Sequence, residues 1–116
     1  MHEYPITKRI VEIAERYAIE HGDVKVTRIT LVAGDAAGYV PDTISIYFSE
    51  IARGGPCDGA HLEIKRVKPK LRCTACGQFF ERIPFSFSCP LCGADGLPTD
   101  IGKEFYMESI EITERT

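Results

Sequence analysis

Two cysteine pairs with identical spacing are the residues of this 116-residue sequence best suited to chemistry. Cys73 and Cys76 form the first pair, Cys89 and Cys92 form the second, and a glycine follows each pair. In a CxxCG unit the glycine adopts positive φ and closes a tight turn, so that both thiolates point to one metal ion. Four thiolates are a tetrahedral donor set that zinc prefers, and they leave no open coordination position. The spacing therefore predicts a closed, structural Zn(II) site.

Iron in a rubredoxin-type site has the same four ligands, so the spacing alone leaves zinc and iron open. We favour zinc because nothing else in the sequence indicates electron transfer. The remaining cysteine, Cys57, has no activating neighbour in the sequence, and we assign it no chemistry. We expect the nearby phenylalanines to form a small apolar core for the cysteine module, with a partner-binding patch as the alternative: Phe79, Phe80, Phe85 and Phe87.

A second set of potential metal ligands stands at the start of the sequence, where His2 and Glu3 follow Met1. A histidine at position 2 usually belongs to a frayed terminus. However, a terminal amine, deprotonated backbone amides and an imidazole can together place several nitrogens in one plane. Ni(II) and Cu(II) favour that tetragonal arrangement, whereas zinc does not.

Hydrophobic periodicity predicts the elements that position these residues. Residues 6–21 and 41–51 predict amphipathic helices, and residues 24–33, 60–67 and 103–113 predict strands. The apolar phase of the last strand slips at Glu108 and Ser109, which predicts a β-bulge or an exchange of buried faces. We therefore predict an α+β fold, a small three-stranded sheet with two helices plus an inserted zinc-ribbon module. The domains would be 1–68 with 103–116, and 69–102.

Composition narrows the class of protein. The sequence is 44% hydrophobic with a net charge of −3, as expected for a globular chain and unlike a general nucleic-acid binder. It has no run near the roughly 18 apolar residues that span a bilayer, and no secretory signal. An odd number of cysteines without a signal argues against a disulfide framework. We expect a cytoplasmic protein without a membrane partner.

Several segments together resemble the HypA/HybF family of nickel-insertion metallochaperones for NiFe-hydrogenase maturation. They are the MHEY start, LVAGDAAGYVPD, GAHLEI, the CTACG and CPLCG knuckles, and the terminal SIEI. The resemblance covers essentially the whole chain. It implies an α/β nickel-binding domain and a zinc domain. It also implies transfer of nickel, as a transient cargo, with the maturation GTPase HypB to the hydrogenase large subunit.

The family's nickel ligands centre on its MHE start, so the resemblance assigns this role to His2 and Glu3. His2 would offer its imidazole and backbone amide, Glu3 mainly its backbone amide, and Met1 could add the terminal amine. The resemblance also implies zinc at Cys73, Cys76, Cys89 and Cys92. The chain departs from the family pattern at Val40, where an acidic residue usually precedes the proline. Asp42 could replace that residue, and a homodimer is compatible with the sequence.

Other functions are weighed against this hypothesis. A zinc ribbon that binds nucleic acid or another protein is the main alternative, because residues 65–72 carry a basic run. We expect no nucleic-acid partner, since the chain as a whole is acidic and no recognition motif adjoins the run. We expect no enzymatic activity, because the histidines are scattered and no catalytic motif is present. An electron carrier of the rubredoxin type is a further alternative.

Overall fold

The computed structural model of the chain describes residues 3–22, 24–82 and 86–114. Within these residues the fold is α+β, as predicted, with two α-helices and two three-stranded sheets of order β2-β1-β6 and β4-β3-β5. The elements are α1 (Glu3–Glu20), β1 (Val24–Gly34), a 3₁₀ turn (Asp35–Ala37), α2 (Pro41–Ile51), β2 (His61–Val67), β3 (Lys70–Cys73), β4 (Phe79–Glu81), β5 (Gly96–Pro98) and β6 (Phe105–Glu114).

The chain divides into two compact units. Unit 1 comprises the described residues of Met1–Val32, Tyr39–Lys65 and Tyr106–Thr116, and unit 2 comprises those of Ala33–Gly38 and Arg66–Phe105. The assignment of a nickel role to residues 1–68 and 103–116, and of a zinc role to residues 69–102, stays a prediction. No helix among the described residues is long and apolar enough to cross a membrane.

The buried face of α1 differs from the one expected from the sequence. Helical periodicity over residues 6–21 places Ile13 and Tyr17 on the apolar face, together with Ile6, Ile10, Ala14 and Ala18. Ile13 and Tyr17 are instead 42% and 37% exposed. Thr7 and Val11 are buried instead. The buried face of α1 is therefore rotated about the helix axis, away from Ile13 and Tyr17 and towards Thr7 and Val11. The Thr7 hydroxyl donates a hydrogen bond to the carbonyl oxygen of Glu3, which lets a polar side chain lie in the interior. The other buried apolar positions of α1 follow helical spacing: Ile10, Ala14 and Ala18.

The sheet of unit 1 is joined by charged side chains across all three strands. Arg28 on the central strand β1 pairs with Glu63 of β2, and its Nε lies 3.7 Å from an Oε atom of Glu111 on β6. Along β6, Phe105 and Met107 are half-buried, and then Ile110 and Ile112. This change of phase across Glu108–Ser109 follows the sequence pattern; a bulge or exchange of faces stays a prediction.

Unit 2 is built on the antiparallel sheet β4-β3-β5. In the register of the strands Leu71 faces Phe80, while Arg72 faces both Phe79 and Leu97. One face of this sheet is buried, and its core comprises Leu71, Cys73, Phe80 and Cys89, with Ala94 packed against them.

The expectation of a phenylalanine core in unit 2 was right for Phe80 and wrong for two others. Phe79 and Phe87 are 53% and 48% exposed. The guanidinium groups of Arg72 and Arg82 lie over their rings, 5.8 and 4.3 Å from the ring centroids. Phe85 lies outside the described residues.

A close backbone approach within unit 2 requires glycine at position 34. An ideal Cβ built on Gly34 would lie 1.9 Å from the carbonyl oxygen of Gly102. The Gly34 N–H donates to the Glu104 carbonyl at 2.6 Å, and the Ala36 N–H donates to the Gly102 carbonyl at 2.8 Å. The end of β1 is therefore held directly against residues 102–104, without space for a side chain.

We expect Gly34→Ala to lower the free energy of unfolding by at least about 3 kcal/mol, because only backbone atoms can move to relieve the overlap. The matched control is Gly22→Ala. Gly22 has φ of 91° but no neighbour within 4 Å of its ideal Cβ. Gly22→Ala should therefore lower the free energy of unfolding by only roughly 1–2 kcal/mol, the cost of a left-handed conformation for a residue with a Cβ. Urea unfolding of the zinc-loaded protein measures both values, and equal losses would refute the close approach.

Candidate metal centres

The two cysteine knuckles fold in the same way. Gly77 and Gly93 have φ of 75° and 78°, the left-handed conformation that glycine adopts without strain. Each knuckle is closed by the same two backbone hydrogen bonds. In one, the glycine N–H donates to the carbonyl oxygen of the first cysteine. In the other, the N–H of the first cysteine donates to the carbonyl oxygen of the residue five positions later. They are Gly77 N to Cys73 O (3.2 Å), Gly93 N to Cys89 O (2.9 Å), Cys73 N to Gln78 O (2.9 Å) and Cys89 N to Ala94 O (2.8 Å).

The fold brings the sulfurs of the two knuckles together. Cys73 Sγ lies 3.3 Å from Cys92 Sγ, and Cys76 Sγ lies 3.8 Å from Cys89 Sγ. All four Sγ atoms lie within 4.8 Å of one another, and no disulfide joins them. A tetrahedron with Zn–S bonds of about 2.3 Å has S···S edges of about 3.8 Å. The four cysteines therefore fit a single tetrahedral metal ion.

Electrostatics in the cluster also favour a bound cation. The backbone amides of Cys76 and Ala75, 3.3 and 3.4 Å from Cys73 Sγ, lower the pKa of Cys73 to about 6. The Gln78 amide lowers the pKa of Cys76, but hydrogen bonding to Cys73 and burial outweigh it and raise this pKa to about 11. Ionising one thiol therefore opposes ionisation of its neighbours. A metal ion removes that repulsion and allows four thiolates to coexist.

The other predicted metal site is only partly within the described residues. Met1 and His2 lie outside them. Glu3 is the first residue of α1, and its side chain is buried. Its carboxylate Oε2 accepts a hydrogen bond of 2.9 Å from the backbone N–H of Val40, which lowers the pKa of Glu3. The start of α1 is thus linked to the start of α2.

This link explains how α2 begins without a capping side chain. Val40 is the N-cap residue of α2, Pro41 follows it in the first turn, and Val40 makes no side-chain cap hydrogen bond. A carboxylate at this end also interacts favourably with the helix dipole. Residue types alone do not indicate this role of Glu3, because its partner is the backbone N–H of Val40 and not a side chain. Asp42 is exposed, and its proposed ligand role stays a prediction.

Cys57 lies apart from the cluster and has no accessible surface. Burial, with a smaller contribution from the negative charge of Glu15, raises the pKa of its thiol to about 12. Because the thiolate is the reactive form, Cys57 is inert at neutral pH.

We expect iodoacetamide at pH 8 to spare Cys57 in the native protein. After chelation of zinc the four cluster cysteines should be alkylated while Cys57 stays unmodified. Raising the pH from 9 towards 12 should destabilise the fold, because the unfolded thiol ionises first and the unfolded chain then binds fewer protons. Mass spectrometry of tryptic peptides reads the labelling, and modification of Cys57 before unfolding would contradict the inert assignment.

The remaining described histidines do not join a metal cluster. Among the residues that the structure describes, the four cysteines are the only group of three or more potential ligands close enough to share an ion. His21 is exposed at the end of α1, with Nδ1 2.8 Å from the Tyr17 carbonyl oxygen and its ring stacked near that of Tyr17. His61 is exposed at the start of β2.

The fold and the cluster define a small α+β protein with four cysteines placed so that they can hold one metal ion. A family model described as "Hydrogenase/urease nickel incorporation, metallochaperone, hypA" matches residues 1–112. The chain therefore belongs to the HypA family, as the sequence resemblance predicted.

Relatives named "Hydrogenase maturation factor HypA" align over nearly their whole length. The protein of Caldanaerobacter subterraneus is 39% identical over 113 residues, which cover 97% of this chain and 99% of the relative. That of Geobacter metallireducens is 38% identical over 112 residues, with the same coverage. "Solution structure of the Ni metallochaperone HypA from Helicobacter pylori" describes a similar fold, with a TM-score of 0.63, 21% identity and coverage of 97% and 98%.

Proposed function

We propose that this protein is a nickel metallochaperone for hydrogenase maturation, which binds Ni(II) at its N-terminus and holds a structural Zn(II). The observation that carries the proposal is the family match over residues 1–112, whose description names nickel incorporation. In this role nickel is a cargo that the protein receives and releases. The protein transfers a metal ion and catalyses no reaction.

The nickel site would comprise the imidazole and backbone amide of His2 and the backbone amide of Glu3, with the terminal amine of Met1 as a further donor. The Glu3 carboxylate supports this division of roles because it already accepts a hydrogen bond from Val40. Holding Glu3 in this way would anchor one end of the ligand set to α2. Transfer to a partner would then proceed by detaching the other ligands one at a time.

The zinc site, in contrast to the nickel site, would not release its metal. Four thiolates saturate the tetrahedral coordination of Zn(II), so no position stays open for exchange. The S···S distances and the shared hydrogen-bond pattern of the knuckles support zinc at Cys73, Cys76, Cys89 and Cys92. Zinc would stabilise the small core of unit 2, where Cys73 and Cys89 are buried. We infer two metals with separate roles, a labile nickel and a static zinc.

Partners follow from the same proposal. The maturation GTPase HypB would cooperate in nickel transfer, and the hydrogenase large subunit would receive the ion. We propose a cytoplasmic location, where such a subunit is assembled. A homodimer is a further prediction that size-exclusion chromatography with light scattering can test.

The nucleic-acid alternative is weakened by the surroundings of its basic run. Three of the five cations in residues 65–72 have carboxylate partners, with N···O distances of 3.0 to 3.8 Å. The pairs are Lys65–Glu108, Arg66–Asp35 and Lys68–Glu81. Such surface pairs contribute little stability, but they cancel the positive potential that phosphates require.

The position of the proposed nickel site is tested by extending the chain. We expect a Gly-Ser dipeptide added before Met1 to weaken nickel binding, because it removes the terminal amine from the ligand set. The same dipeptide added after Thr116 is the matched control and should leave nickel affinity unchanged. Isothermal titration of the zinc-loaded proteins with nickel measures both, and elemental analysis reports the bound zinc. Equal affinities would exclude the terminal amine as a ligand.

A further inference from the structure

The outer face of the unit 2 sheet presents a cation between two apolar side chains. Arg72 on the central strand β3 stands between Phe79 of β4 and Leu97 of β5 in the register of the strands. Phe79 and Leu97 are 53% and 59% exposed, and the Arg72 guanidinium lies over the Phe79 ring. We call Arg72, Phe79 and Leu97 the Arg72 face. Exposed apolar residues on both sides of a cation are a common feature of binding surfaces.

A groove adjoins this face. It has a volume of about 570 Å³, within the range of small binding pockets, and is lined by Arg72, the first knuckle (73–77) and residues 97–99. The knuckle cannot offer its backbone donors to a ligand, because they are already used. The amides of Ala75 and Cys76 donate to Cys73 Sγ, and that of Thr74 donates to the Asp95 carbonyl. Among the described residues that line the groove, Arg72 is the one cationic side chain, and it is the charged donor with which this groove can recognise an anion.

Lys65, Arg66 and Lys68 each pair with a carboxylate. Within the part of the chain that the structure describes, Lys70 and Arg72 form no such pair. Lys70 stands opposite Glu81 in the strand register, whereas Arg72 stands opposite apolar residues only. The guanidinium of Arg72 stacks on the Phe79 ring. This contact orients the guanidinium and leaves its N–H groups able to bind a carboxylate in a bidentate manner.

We propose that the Arg72 face docks a segment of a partner protein in which a carboxylate stands beside large apolar side chains. Arg72 binds the carboxylate, and Phe79 and Leu97 pack against the apolar side chains. The segment lies across the face and does not extend the sheet along β5, because Pro98 has no N–H to donate there. Glu81 shares this side of β4 and is exposed, which disfavours a chain of phosphates and favours isolated carboxylates spaced by apolar side chains. This docking does not depend on nickel binding.

The test uses the full-length, zinc-loaded protein labelled with ¹⁵N. The peptides LDFDL and LNFNL are acetylated at the N-terminus and amidated at the C-terminus, so that they differ only in side-chain carboxylate against amide. Each is titrated while backbone and Arg Nε signals are recorded. We expect LDFDL to shift the signals of Arg72, Phe79 and Leu97, and LNFNL to bind about tenfold more weakly because it lacks the charge-assisted hydrogen bonds. Equal binding of the two peptides, or no shift on this face at millimolar peptide, would overturn the proposal.

Two variants isolate the role of Arg72. Arg72→Gln should weaken LDFDL binding about tenfold and remove the preference over LNFNL. Lys70→Gln is the matched control, since Lys70 is exposed on the same side of β3 but stands opposite Glu81; it should change affinity less than about twofold. Elemental analysis confirms that both variants retain zinc. Tighter binding of oligothymidylate than of LDFDL would identify nucleic acid as the occupant. Shifts on this face that depend on protein concentration alone would identify a second copy of the chain. Either result would refute a partner segment.

Discussion

His2→Ala should abolish stoichiometric nickel binding while leaving the fold and the bound zinc unchanged. The substitution removes the imidazole, the one side-chain nitrogen in the proposed ligand set. Loss of an outer-shell partner alone typically costs about 10–100-fold in metal affinity, so loss of a ligand should cost at least about 100-fold. The fold should persist because position 2 precedes α1, which begins at Glu3. Nickel titration by calorimetry, with circular dichroism and zinc analysis, gives the three measurements.

His21→Ala is the matched control for this experiment. It also removes one exposed imidazole, but His21 lies at the other end of α1 and contacts Tyr17. It should retain wild-type nickel affinity. If the His2 variant binds nickel as well as the wild type, the ion must bind elsewhere. Nickel–thiolate charge-transfer absorption would then identify the cysteine cluster as the site.

Cys73→Ser should release the zinc and unfold unit 2. A structural zinc site contributes on the order of 10–16 kcal/mol of binding free energy in zinc-finger peptides, and this energy is coupled to folding. The core that remains in unit 2 is small, so it cannot replace that contribution. We expect less than one zinc per chain and collapse of the amide signals of residues 66–105 in ¹H–¹⁵N spectra. The signals of α1 and α2 should persist, because their buried residues belong to unit 1.

Cys57→Ala separates loss of a ligand from loss of a cysteine. Cys57 is as buried as Cys73 and Cys89 but lies outside the group of four. Its substitution should lower stability modestly, through the cavity it leaves, and retain one zinc per chain. A Cys73→Ser protein that keeps stoichiometric zinc and a folded unit 2 would exclude the closed four-thiolate site.

Much of the fold could be predicted from local sequence patterns. Helices and strands follow from hydrophobic periodicity, which explains why α2 and β2 were placed within a residue of their observed bounds. The knuckles were predictable for the same reason, since a CxxCG turn depends on five consecutive residues. The buried face of α1 was not predictable from the sequence, because several rotations of a mildly amphipathic helix about its axis satisfy the same hydrophobic pattern. Packing around Thr7 and Val11 selects one of them.

The candidate sites likewise combine features that the sequence indicates and features that arise only from tertiary packing. The sequence by itself singled out the four cysteines that the fold brings together, and it marked His2 and Glu3 as a second, chemically different set of candidate ligands. Only the tertiary structure showed that the Glu3 carboxylate holds the N–H of Val40, 37 residues away. It also revealed that Gly34 meets the Gly102 backbone and that Arg72 lies exposed between Phe79 and Leu97. The physical reason is that ligand type and turn geometry are local properties, whereas backbone donors, close approaches and exposed faces exist only once distant segments have packed.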